Sequence, residues 1–216
     1  MKKIIAAISF IFLYSVNTLA QSKEGFIEFF IEVQAMDTSL KARQQAGMLR
    51  NSTMKVYFMN GKSRLDFKFG EMYDIVAVVD WKNDRFLNLF TTPKGKFASK
   101  MKAEQYDASQ QAPDTTMVVV LVDETKKVLD YTCKKAVIKS SDAEFVYWYT
   151  NDFTIDLKGQ SIVNSKIPGF PLEFQTIKDG IFMNFKASNI SFKLENKEAI
   201  FSTTIPAGYT VIQDIQ

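Results

Sequence analysis

Apolar and charged residues alternate through most of this chain, and that two-residue period restricts the fold more than any other feature. In Gly25–Val33, Ile27, Phe29, Ile31 and Val33 share one face while Glu28 and Glu32 share the other. Side chains alternate in this way only in an extended strand. Leu65, Phe67 and Phe69 alternate with Arg64, Asp66 and Lys68, and Ile190, Phe192 and Leu194 with Ser191, Lys193 and Glu195. Turn residues punctuate these runs at the ~8–12-residue spacing of an all-β sandwich or barrel. Asn60-Gly61 is the strongest hairpin signal, since a type I′ turn needs φ > 0 at both central residues. Lys82-Asn83-Asp84 and Lys178-Asp179-Gly180 mark further hairpins.

The reading is a mainly β protein: a strongly curved antiparallel sheet of about ten strands in meander order, with one or two short helices. Asp37–Arg50 is rich in helix formers, with Asp37, Thr38 or Ser39 available as N-cap, and reads as a surface or lid helix. Lys96–Pro113 is polar, with a short helix expected near Met101–Tyr106, and Met117–Val122 reads as a buried strand.

The first twenty residues differ from the rest. Lys2 and Lys3 precede IIAAISFIFLYSV, and Thr18 and Ala20 stand at the small-residue positions of a cleavage site. That pattern predicts a secretory signal over residues 1–20, cut between Ala20 and Gln21, with one β-rich domain over 21–216. Its apolar run is shorter than the ~20 residues that span a bilayer. No cysteine follows the cut to carry a lipid, so the expected location is the periplasm or the cell exterior. Two of the 27 basic residues belong to the signal, which leaves 25 against 24 acids, a net charge of +1. That balance calls for neither nucleic acid nor an anionic membrane as partner. A monomer is expected.

The central stretch Val128–Phe174 holds two strand-like runs, Thr132–Lys139 and Ala143–Thr150, and then IPGFPLEF, where Pro168-Gly169 and Pro171 rule out a helix. Phe145, Tyr147 and Tyr149 point one way and Val146, Trp148 and Thr150 the other, so both faces are largely apolar. With VLDYTCKKAVIK, VYWYT, IPGFPLEF and the closing IPAGY in this order, the chain resembles a family of exported bacterial proteins of unknown function, one branch of which is named for a Gly-Leu-Pro-Gly-Leu-Ile motif. Asp130 departs from that pattern where a glycine usually precedes the tyrosine, and Phe170-Pro171-Leu172 replaces Leu-Ile-Leu-like residues. The resemblance implies a fold similar to the LolA/LolB lipoprotein carriers, an open half-barrel with helices in its mouth. It supplies no catalytic residue.

The chemistry missing from the chain narrows its function. It has no histidine, which removes Ser-His-Asp and Cys-His catalysis and the commonest zinc ligand. Asp80 with Asp84, and Asp152 with Asp156, flank turns and read as ordinary solvated acids. The lone Cys133 lies mid-strand between apolar neighbours and reads as a buried packing residue. No catalytic residue, cofactor or metal is therefore expected, and the chain does not read as an enzyme.

Phenylalanine is abundant, at 19 of 216 residues. Such a surplus builds either a plain core or the lining of a concave sheet that holds a lipid, a lipoprotein or another hydrophobic ligand. On the second reading Trp148, Phe170 and Phe182 are the expected cavity residues. The alternative is a structural or interaction protein of the cell envelope with no small ligand. An outer-membrane barrel fits poorly, because strands such as Met54–Met59 are shorter than the ~9–11 residues a membrane strand needs.

Overall fold

The alternation builds strands over Gly25–Val33 and Leu65–Phe69, but the strand through Ile190 ends at Ser191, so Phe192, Leu194 and Glu195 alternate outside any strand; pairing between the strands sets the architecture. The computed structural model describes residues 20–21, 23–110, 117–140, 143–155, 157 and 166–212. The signal segment up to residue 19, the turn residues 141–142 and Asp156 lie outside the described residues. In chain order the elements begin with β1 (Ala20–Gln21), β2 (Glu24–Ala35) and helix α1 (Leu40–Met48). A run of hairpins follows: β3 (Thr53–Met59), β4 (Lys62–Phe69), β5 (Tyr73–Asp80), β6 (Arg85–Thr92) and β7 (Gly95–Met101). Helix α2 (Ala103–Gln110) precedes β8 (Val118–Val128), β9 (Tyr131–Lys139), β10 (Glu144–Thr150) and β11 (Phe153–Thr154). β12 (Phe170–Lys178), β13 (Ile181–Ser191), the single-turn α3 (Lys197–Ile200) and β14 (Thr210–Val211) complete the chain.

Twelve of these strands form one sheet in the order β14-β7-β6-β5-β4-β3-β2-β13-β12-β10-β9-β8. The fold is mainly β, a large curved open sheet with three short helices among the described residues. It is not the single meander expected from the hairpins. Two meanders are joined by a seam in which β13 pairs antiparallel with β2, for example Phe185 opposite Ile31. Strands β7 and β8, neighbours in the chain, therefore lie far apart in the sheet. The main-sheet pairings are antiparallel except β14 on β7, and the separate β1–β11 pair is also parallel.

Two strands differ from the sequence reading. β7 lies in the stretch read as polar, because Ala98 and Ser99 are small enough to be buried without an apolar pattern. β8 is not a buried strand: it ends the sheet, and Val118, Val120 and Leu121 are exposed. A run of apolar β-branched residues looks the same whether its strand is central or at an edge.

The turns also differ in detail. Only Gly61 of Asn60-Gly61 has positive φ, at 78°, so this turn is not type I′. Asp179 at 52° and Gly180 at 74° both do, which puts the type I′ pattern on the β12–β13 hairpin.

The inner face of the sheet carries Ile27, Phe29 and Ile31, all at most 1 % exposed, with Val56, Phe58, Leu172 and Phe185 in the same cluster. Cys133 belongs to this cluster, and burial pushes its thiol up to about 11. Helix α2 covers the inner face further along, where Tyr106 stacks on Phe86 at 3.8 Å. The C-terminal tail crosses the outer face of β5–β7, and Ile205 and Tyr209 of IPAGY pack on Val78, Leu87, Leu89 and Ala98. IPGFPLEF is likewise packing: Ile167, Phe170, Pro171 and Leu172 are buried, and a side chain at Gly169 would strike the Thr150 carbonyl oxygen.

Candidate functional site

Curvature can be read from ring contacts. β4 and β13 are separated by β3 and β2, so in a flat sheet they would stand about 14 Å apart, three spacings of ~4.8 Å. Yet the rings of Phe67 on β4 and Phe185 on β13 meet edge to face, with centroids 5.9 Å apart. The inner face folds toward itself at this point, and an aromatic chain runs through it. Tyr73 lies against Phe69 at 4.5 Å, Phe69 stacks on Phe67 at 3.8 Å, and Phe185 stacks on Phe174 at 4.5 Å. Tyr147 and Phe29 close on Phe174, each at 5.7 Å.

A cavity of about 430 Å³ opens where this chain reaches the end of the sheet. Phe67 and Phe69 form one wall, with Met72 and Tyr73 beyond them, and Ile181, Met183 and Phe185 form the other. Thr176 and Asp179 complete the β12–β13 side. Helix α1 covers it through Gln45 and the C-terminal Leu49, as the lid reading of Asp37–Arg50 anticipated. The helix starts at Ser39, whose Oγ accepts from the Ala42 N–H at 3.1 Å, and Ala42 and Ala46 form its buried face.

At the far end of α1, Gly70 fixes the lid. Its φ is 54°, and a Cβ there would strike the Met48 carbonyl oxygen. Gly70→Ala is expected to cost about 2–5 kcal/mol, combining left-handed strain with overpacking. Thermal melting checks this; a melting temperature equal to wild type would mean that α1 moves aside freely.

The cavity's electrostatics are simple. Burial, and secondarily the Asp179 charge, raise the Tyr73 hydroxyl above its ordinary value, so it stays a neutral donor. Asp179 is the single charged residue of the described lining.

Trp148, Phe170 and Phe182 are not brought together. Phe170 is buried in the main cluster, 6.0 Å from the Phe153 ring. Trp148 pairs across strands with Lys135 and Glu173, on the face away from Tyr147. Lys126 and Lys135 sit over its ring at 4.5 and 5.7 Å, and Lys126 also pairs with Glu173 at 2.7 Å. That outer face is ionic elsewhere too, with Lys55–Glu28 at 2.6 Å and Lys186–Glu32 at 2.9 Å. Phe182, opposite Gln34 and Ile177, is on the face away from Ile181 and Met183. The described lining contains none of the three.

Asp80 is not a solvated acid. It is 4 % exposed, pairs with Lys62 at 2.7 Å, and caps the short turn at Trp81–Asn83. Asp84 caps in turn, accepting the Glu104 N–H at 3.2 Å.

No family model matches the chain. No curated protein matches it in sequence either. Among solved structures it is similar to PNGF-II in the C2 and P21 space groups, with TM-scores of 0.47 and 0.45 at 14 % and 15 % identity. Each likeness covers 88 % of this chain, which spans only 31 % and 32 % of those longer chains. It is also similar to the LolA superfamily protein NE2245 from Nitrosomonas europaea, with a TM-score of 0.23 at 9 % identity, over 83 % of this chain and 90 % of that one. The site is therefore read from its own residues.

Proposed function

We propose that this is an exported, non-catalytic binding protein for a lipid or other hydrophobic ligand, and that the ligand sits in the cavity beneath α1. The observation that carries the reading is the lining itself: eight apolar or aromatic side chains, from Leu49 to Phe185, with few polar groups, in a volume within the ~300–1,000 Å³ range of small-molecule sites. Apolar surface left in water costs about 25 cal/mol per Å², so such a concavity favours an apolar occupant. Export rests on the leader pattern of residues 1–20, and among the described residues no helix is long and apolar enough to cross a membrane. The absence of histidine, and a thiol held protonated by burial, support a non-catalytic role.

The test is binding of N-phenyl-1-naphthylamine, a dye that brightens in apolar sites. Intrinsic fluorescence is a poor readout, because neither Trp81 nor Trp148 lines the cavity. Wild type is expected to bind the dye, and Leu49→Trp, which places an indole in the cavity, is expected to weaken binding at least about tenfold while the circular-dichroism spectrum is kept. No binding by wild type, or equal binding by Leu49→Trp, would overturn the reading.

A second reading, an envelope interaction protein, rests on β8, where Val118, Val120 and Leu121 are exposed on the terminal strand. A free apolar edge of this kind accepts a strand from another chain.

A further inference from the structure

The cavity has an apolar body and one charged end. Phe67, Leu49, Met183 and Phe185 supply the body, and Asp179 stands at the β12–β13 turn beside Tyr73. Among the described residues no basic side chain pairs with Asp179, although eight ion pairs are made elsewhere. An exposed acid is ordinary on a surface, but among the described lining residues this one is the sole charge on an aromatic cavity. Tyr73, whose hydroxyl feels the Asp179 charge, is neutral and rests on Phe69 at 4.5 Å. A carboxylate beside aromatic rings suits a cation, which gains from the negative charge and from the ring faces.

Size sets the other half of the specificity. About 430 Å³ lies in the lower part of the range for small-molecule sites, room for one alkyl chain and not for several.

We propose that the cavity selects a single-chain amphiphile with a cationic head, the chain lying along Phe67, Leu49, Met183 and Phe185 and the head at Asp179. This rests on the ligand-binding reading above. The opposing arrangement is also visible. Arg50 and Lys68 line a neighbouring groove with Glu71, which meets the cavity at Met72. An anionic head could be drawn there instead, so the experiment compares both charges on one chain.

Dodecyltrimethylammonium, dodecyl sulfate and dodecyl maltoside, each below its micelle concentration, are titrated against the bound dye. For wild type the ammonium is expected to displace the dye at a concentration lower by about tenfold than the sulfate. Asp179→Asn should remove most of that preference while leaving the maltoside unchanged, since asparagine tolerates the positive φ of 52° that this turn position requires. Added salt should shrink the preference in wild type, a readout that needs no variant.

The failures are distinct. If the three detergents compete equally and Asp179→Asn changes nothing, the cavity binds apolar chains but the head assignment is wrong. A preference for sulfate that Arg50→Gln or Lys68→Gln abolishes would overturn it in favour of the neighbouring groove. If no detergent displaces the dye and wild type does not bind it, the ligand-binding reading itself falls.

Discussion

Phe174→Ala is expected to destabilise the protein by about 3–5 kcal/mol, the range for deleting a buried phenylalanine ring. Phe174 is 7 % exposed and touches rings from three other strands. It stacks on Phe185 of β13 at 4.5 Å and 5°, on Tyr147 of β10 at 5.7 Å and 19°, and meets Phe29 of β2 edge-on at 5.7 Å and 71°. Its removal leaves a void bordered by both meanders, which relaxes only if the β2–β13 seam shifts. Urea denaturation followed by circular dichroism measures the loss, and Phe174→Leu should lose less because it refills part of the space. A loss under about 1 kcal/mol for the alanine variant would show that the neighbouring rings close over the gap. Dye binding should fall in the same variant, since Phe185 forms a cavity wall and leans on Phe174.

Lys62→Met is expected to cost about 3–5 kcal/mol at neutral pH by leaving the buried Asp80 carboxylate without its cation. The lower end is the better expectation, because the Lys62 side chain is 25 % exposed and water can reach the gap. Burial pushes the Asp80 carboxyl up, but the Lys62 and Asn83 contacts outweigh it and hold the group below the usual carboxylate range. A carboxyl depressed in the folded state stabilises above its unfolded value of about 3.9, and that contribution fades as pH falls through the folded value. In Lys62→Met burial acts with less opposition, so Asp80 takes up a proton more readily. The deficit of the variant relative to wild type should therefore shrink on acidification below about pH 4. A deficit of the same size at neutral and acid pH would mean that lost packing of the lysine stem, not the ion pair, was the cause. Lys62→Met combined with Asp80→Asn should recover part of the loss.

The strands were legible because they obey a local rule. Ile27 to Val33 and Leu65 to Phe69 state their own faces, and the structure keeps them. The lid helix was legible from its composition and Ser39, within three residues at its start and two at its end. The site was not legible, because it depends on which strands become neighbours. Phe67 and Phe185 are 118 positions apart and meet only because β13 joins β2 and the sheet bends. Trp148 shows the converse. Alternation placed it correctly opposite Tyr147, but whether its face meets ligand or lysines depends on Lys126 and Lys135, which neighbouring strands supply. The type I′ turn was misplaced for a smaller reason: Asn60-Gly61 and Asp179-Gly180 carry equivalent local signals, and the surrounding backbone decides which pair adopts it.

The seam between β2 and β13 also governs the order in which the molecule can assemble. Strands β3 to β7 pair with neighbours a few residues away, so their loops close at small entropic cost, and β2 joins them across the span of α1, so this half can form early. Ile31 and Phe185 must instead find one another across most of the chain. The cavity has one wall on each side of that late-closing junction, Phe67 with Phe69 from the early half and Met183 with Phe185 from the last-synthesised hairpin. A partly assembled chain thus has no cavity to fill, and a ligand that binds across the junction holds together the two halves that meet last.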